Sequence, residues 1–188
     1  MRWLAAHGYH AVTMRKVFDY WHGKSALPRR PVVLSFDDGY HSDTTVALPT
    51  LRAHGWAGVL NLEVHNLGPG GIRPYGIRML LHAGWEIDAH TLSHPDLTTL
   101  DDARLKQEIA GSRAALRARF HVPVDFFCYP SGRFNDHVVA AVRAAGFEGA
   151  TTTQYGLGRP GDPYRLDRVR VNGSDGVSGF AAKMQALA

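Results

Sequence analysis

Two aspartates stand side by side at Asp37-Asp38, and two histidines stand four residues apart at His90 and His94. Neutral imidazole is a good ligand for zinc and related divalent ions, and two such rings share a face if their segment turns helically. Alone, the pair reads equally as a helix cap or a polar niche. The aspartates change the balance. They follow the apolar run Val32-Val33-Leu34-Ser35-Phe36, where two adjacent carboxylates need something to neutralise one of them. A cation does so. One carboxylate then completes an Asp-His-His ligand set with positions open for water and substrate. The other stays unligated and acts as general base on water that the ion polarises. Of the eleven histidines, only these two combine ligand spacing with a carboxylate partner.

These residues need elements to position them. The 188-residue chain is 45% apolar and 20% charged, ordinary for a globular domain with a substantial core. No apolar run approaches the roughly 20 residues that span a bilayer. Net charge is only +4, and the basic residues are spread without a basic run interleaved with aromatics, which argues against nucleic acid as a partner. The single cysteine, Cys128, cannot form an internal disulfide and reads as a small buried residue.

Strands are expected at 32–36, 57–62, 85–89, 124–129, 147–152 and 166–171. Helices are expected over 43–54, kinked at Pro49, then around Ile77–Leu81, from Thr98 or Thr99 to Phe120, over 135–146 and over 176–187. Leu105, Ile109, Leu116 and Phe120 form the clearest helical stripe. Strands alternating with helices argue for βα units around a parallel sheet or barrel, whose sites gather past the strands' C-terminal ends. The turns at Asp37, His90 and Pro130 all fall there. Met1–Tyr9 reads as the last turns of a helix closing at Gly8. Residues 1–30 are therefore expected to be the remnant of a truncated upstream part, and 31–188 the domain proper. Trp56, Trp85, Phe126 and Phe127 could stack on sugar rings, but packing beside strands is the commoner role for such residues.

Three stretches together are specific: Leu34-Ser35-Phe36-Asp37-Asp38-Gly39-Tyr40, His90-Thr91-Leu92-Ser93-His94-Pro95-Asp96-Leu97 and Phe127-Cys128-Tyr129-Pro130-Ser131-Gly132. In order and separation they resemble the polysaccharide deacetylases, the family-4 carbohydrate esterases with the NodB homology domain, over roughly residues 31–172. The resemblance implies an α/β fold, a distorted (β/α) barrel of the NodB type. It makes Asp37 the catalytic base and Asp38, His90 and His94 the ligands of a divalent metal, Zn2+ first, with Co2+ or Ni2+ as alternatives. The Ser131 backbone N–H corresponds to the oxyanion donor, and Tyr40 and Tyr129 would line the substrate cleft. Two positions depart from the family. Cys128 stands where the family has an arginine that orients the base. Leu166-Asp167-Arg168 stands where it has a Leu-x-His whose imidazole is the general acid, and Arg168 is a poor acid. His65, beyond the 57–62 strand, is the substitute acid to test.

The activity so implied is metal-dependent hydrolysis of acetyl groups from an N-acetylated polysaccharide or oligosaccharide resembling chitin, peptidoglycan or an exopolysaccharide. An O-acetyl esterase, a small-amide hydrolase and a non-catalytic glycan-binding module are the alternatives. The partner is a carbohydrate polymer or oligomer. The family's glycans imply work outside the cell or in its envelope, with any export signal in an upstream segment.

Overall fold

A computed structural model describes residues 1–187. Two short parallel strands, β1 (His10–Ala11) and β2 (Pro31–Val32), precede a five-stranded parallel sheet whose strands follow chain order. These are β3 (Ser35–Asp38), β4 (Val59–Leu62), β5 (Glu86–Ala89), β6 (Phe126–Cys128) and β7 (Gly149–Thr151). Helices α1 (Arg2–Ala6) and α2 (Met14–Trp21) come before the sheet. The crossovers carry α3 (Leu48–Arg52), α4 (Pro74–His82), α5 (Asp102–Phe120) and α6 (Asp136–Ala144), and α7 (Gly176–Gln185) follows β7.

Alternation along the strands sorts their side chains into two layers. Leu60, Leu62, Ile87, Ala89, Phe127 and Tyr129 pack against Leu51, Ile77, Leu80, Leu105, Ile109, Leu116, Val138 and Val142 of the helices. The opposite, concave face carries Val59, Phe126 and Leu166 toward its lower end, where Met14 and Phe18 of α2 cover them. From the N-terminal 1–30 segment, Met14, Phe18 and Trp21 thus pack against the sheet. Phe18 is wholly buried against Phe126, worth roughly 1.5–3 kcal/mol for a side chain of that size. Higher on this face, the register sets Asp37 beside Asn61 and Asn61 beside Asp88.

The long helix α5 is closed by its ends. The Asp101 carboxylate accepts the Arg104 N–H at 2.8 Å, and His121 stops the helix in a left-handed conformation at φ 56°. Its buried stripe is the one read from the sequence, with Glu108 and Ser112 also inside it.

Three expectations are corrected. The apolar run 32–36 is split, because Val32 pairs with β1 while Ser35 begins pairing with β4; β3 then runs on through both aspartates. The helix expected over 43–54 starts earlier, at His41, and widens into a π-type turn, Asp43–Ala47, just before Pro49 in α3. The 166–171 strand shrinks to one bridge between Leu166 and Thr151. Helix α2 is additional. Trp85, Phe126 and Phe127 are core residues, and Trp56 packs partly buried against the core.

Candidate active site

The end of β3 presents Asp38 at φ 75°, followed by Gly39 at φ 95°. A Cβ at Gly39 would run into the Leu62 side chain, so this turn requires glycine. The Tyr40 hydroxyl donates to Asp38 Oδ2 at 3.0 Å, while Asp38 Oδ1 is buried with no hydrogen-bond partner. That orphaned oxygen lies 3.4 Å from His90 Nε2 and 3.6 Å from His94 Nε2. Ligands bound tetrahedrally at about 2.1 Å stand about 3.4 Å apart, so the Asp38 oxygen stands from each imidazole nitrogen at the distance a small divalent ion requires.

His90 is buried, and its Nδ1 lies 2.7 Å from the Cys128 carbonyl oxygen. A carbonyl can only accept, so Nδ1 carries the proton and Nε2 keeps its lone pair toward Asp38. The two imidazoles do not converge through a helical turn. Residues 90–94 form an irregular loop in which Thr91 and His94 both take left-handed conformations, at φ 68° and 57°. The Thr91 hydroxyl oxygen accepts the His94 N–H at 2.9 Å and closes the loop.

Asp37 points into the concave face beside this trio. Arg168 grips it with two parallel hydrogen bonds, Nη1 to Oδ1 and Nη2 to Oδ2, both 2.9 Å. Asn61 Nδ2 donates to Oδ1 at 2.7 Å. Burial alone would raise the Asp37 carboxyl, but the Arg168 guanidinium, with help from Asn61, holds it at about 2. Arg168 is itself fixed, since its Nε donates to the Thr152 carbonyl at 2.7 Å and its Nη1 to Ser35 Oγ at 3.3 Å. Position 128 holds no arginine, and the guanidinium beside Asp37 comes from position 168. Cys128 is fully buried with its Sγ 3.7 Å from Asp37 Oδ2, so it forms the floor of the site.

The remaining expected residues divide. Tyr40 reaches the site through Asp38 and is 53% exposed, open to a substrate. Ser131 lies on the exposed turn after β6 at φ 53°. Tyr129 is a correction: it is wholly buried, stacked on Phe134, and its hydroxyl donates to the Tyr164 carbonyl at 2.9 Å, so it lines no cleft. Strand alternation explains this, because Cys128 faces the concave side and its neighbour must face the helices. His65 sits exposed on the turn Val64–Asn66, and among the described residues no hydrogen bond or ion pair joins it to the aspartates or the two histidines. The sequence reading missed Arg168 as a partner and Asn61 altogether. A polar Asn inside the apolar run 57–62 was the available signal.

A curled parallel α/β sheet with an Asp-His-His cluster that could hold a metal ion at its C-terminal mouth, and an arginine-held carboxylate beside it, is the architecture of a hydrolase class. The family model described as polysaccharide deacetylase matches residues 24–150, and the chain belongs to that family. YxkH of Bacillus subtilis (strain 168) is 26% identical over 189 residues, covering 100% of this chain and 68% of that protein. The poly-beta-1,6-N-acetyl-D-glucosamine N-deacetylase of Escherichia coli (strain K12) is 40% identical over 57 residues, 30% of this chain and 8% of that one. In structure, the Streptococcus pyogenes deacetylase PplD in complex with acetate superposes with a TM-score of 0.88 at 20% identity, over 96% of this chain and 82% of that one. Deacetylases of this family use a divalent metal, and the Asp38–His90–His94 cluster is a fitting place for it.

Proposed function

We propose that this chain hydrolyses N-acetyl groups on a polysaccharide or oligosaccharide of N-acetylglucosamine type, with zinc held by Asp38, His90 and His94. The observation that carries the reading is the spacing of the three donor atoms around the orphaned Asp38 oxygen. The substrate class follows the name of the Escherichia coli relative. Acting on such a polymer puts the protein's work outside the cell or in its envelope.

Bound zinc would polarise the acetyl carbonyl and make a nearby water more acidic. Everything else falls to the chain. Asp37 takes one proton from the attacking water through a lone pair that Arg168 and Asn61 leave free. Arg168 fixes the carboxylate's direction. The Ser131 N–H donates to the oxyanion that forms on the acetyl carbon. As the carbon–nitrogen bond breaks, the protonated Asp37 returns its proton to the leaving amine, yielding acetate and a free amino sugar. One carboxyl thus serves as base and then acid, and no imidazole is required at position 168 or 65. The retained Arg168–Asp37 pair speaks against a non-catalytic binding module, which has no use for an aligned base.

The test is acetate release from N-acetylglucosamine oligomers by metal-stripped protein, before and after zinc or cobalt is added. Metal-restored release supports the reading. Absence of release from glucosamine-type oligomers, with release from acetylated xylan or aryl acetates, would replace the amide substrate by an ester. Failure to bind either metal would overturn the site.

A further inference from the structure

We infer that Glu108 of α5, which lies outside all three motifs, is a positioning residue that sets the metal affinity of the His90–His94 loop; this rests on the metal site proposed above. Glu108 is 2% exposed, a buried carboxylate on the apolar face of its helix. A buried carboxylate is costly unless donors surround it. Here the donors come from the loop between the two histidines. Glu108 Oε2 accepts the Leu92 N–H at 2.9 Å and the Ser93 N–H at 3.0 Å, and Oε1 accepts the Ser93 hydroxyl at 2.7 Å. Arg104, one turn earlier on α5, brings its Nη2 to 3.6 Å from Oε1 and supplies countercharge.

The loop is held from its other side as well. The Thr91 and Leu92 carbonyls accept the Val64 and His65 N–H groups at 3.2 and 2.9 Å, from the turn after β4. Residues 91–93 are therefore stretched between two fixed elements, with N–H groups on Glu108 and carbonyls on residues 64 and 65. Gly111 lets α5 approach this closely, since a Cβ there would stand 3.3 Å from Leu92 Cδ1. The tethers matter because Thr91 and His94 occupy left-handed conformations that side chains otherwise avoid. Released from Glu108, the loop relaxes toward ordinary backbone angles, and His94 Nε2 leaves its place opposite Asp38. His90 is pinned separately by the Cys128 carbonyl, so the loss falls on one ligand of three.

The test is zinc titration calorimetry on the metal-stripped chain, which needs no substrate and no turnover. Glu108→Ala is expected to weaken zinc binding roughly 10–100-fold, the usual effect of losing a group that orients a ligand. Glu108→Gln keeps an oxygen for the two N–H groups and an amide toward Ser93, and is expected to recover affinity to within about fivefold of the original chain. Circular dichroism establishes that each variant is folded. If Glu108→Ala does not fold, Glu108→Asp takes its place: it keeps the charge but falls short of the loop, and at least fivefold weaker binding is expected. Original-strength zinc binding in a folded Ala or Asp variant would overturn the inference while leaving the metal site intact. No zinc binding by the unaltered chain would overturn both. Hydrogen exchange separates a local from a global effect, because the Leu92 and Ser93 amides should be protected in the metal-free chain and exposed in the Ala or Asp variant. Fast exchange of those two amides in the unaltered chain would also refute the clamp.

Discussion

Arg168→Met removes the guanidinium from Asp37 while keeping a long apolar stem in the same space. Two charge-assisted hydrogen bonds of 2.9 Å disappear, and Asp37 keeps Asn61 and the weak Cys128 thiol contact. With burial no longer opposed, its carboxyl rises from about 2. The difference between 3.8 and about 2 corresponds to roughly 2.4 kcal/mol at about 1.4 kcal/mol per unit. The Asp37 side chain is one-third exposed, so solvent screening cuts the stabilising share to about 1–2 kcal/mol. The sign follows from a depressed carboxyl. Its contribution is complete above the unfolded value of 3.8 and disappears as pH falls toward 2.

Denaturant melts of the metal-stripped protein should therefore show Arg168→Met less stable by about 1–2 kcal/mol at pH 6–7, with the gap closing between pH 4 and 2. Acetate release at pH 7 should fall roughly 100-fold, because the base is present but no longer aimed. Arg168→Lys keeps a charge without the two-pronged grip and should fall between the two. A folded Arg168→Met with unchanged turnover would refute the claim that this guanidinium aligns the base. A stability gap independent of pH would refute the electrostatic origin of the pairing.

Other outcomes follow from the same geometry. Asp37→Asn should abolish measurable acetate release while zinc affinity stays within a few fold; His94→Ala should lose both, and equal loss of zinc by Asp37→Asn would mean the roles of Asp37 and Asp38 are exchanged. Tyr129→Phe removes a hydroxyl bonded to the Tyr164 carbonyl and should cost about 1 kcal/mol in a denaturant melt without altering KM, whereas a raised KM would return Tyr129 to the cleft. Asp88 is buried with one unpartnered oxygen, and burial first, then Glu86, raises its carboxyl well above the ordinary range. A raised carboxyl loses stability as pH climbs from its unfolded toward its folded value, so Asp88→Asn should raise Tm at pH 8 and change it little at pH 4; a lower Tm at pH 8 would show that the charged form is needed.

The ligands were legible because each motif is local. Asp37-Asp38 and His90/His94 carry their chemistry in residue types a few positions apart, and the βα rhythm puts both at the strands' C-terminal ends. The conformation that makes them converge was not legible. Thr91 and His94 are left-handed against their own preferences, held there by Glu108 and by residues 64 and 65, which no local pattern ties to the histidines. Glu108 did leave a trace, as a charge inside the stripe Leu105, Ile109, Leu116 and Phe120. The expected strand at 166–171 failed for a related reason. Its alternation is real, but only Leu166 finds a partner strand, and the next inward-facing position, Arg168, is spent on a carboxylate.

Cys128 and Arg168 looked like two independent losses, an arginine missing from one motif and a histidine from another. In the structure they are neighbours on one carboxylate. The Cys128 sulfur stands 3.7 Å from Asp37 Oδ2, and the Arg168 guanidinium takes both oxygens of the same carboxylate. The small thiol leaves room on the carboxylate for the incoming guanidinium. An arginine at 128 would place a second guanidinium in that volume, beside Asp37's existing cation and over the His90 ligand that the Cys128 carbonyl orients. The two departures are thus one relocation of charge. Its consequence is that the position left without an imidazole already has an occupant with a function, which is why the proposed route takes the leaving amine's proton from Asp37.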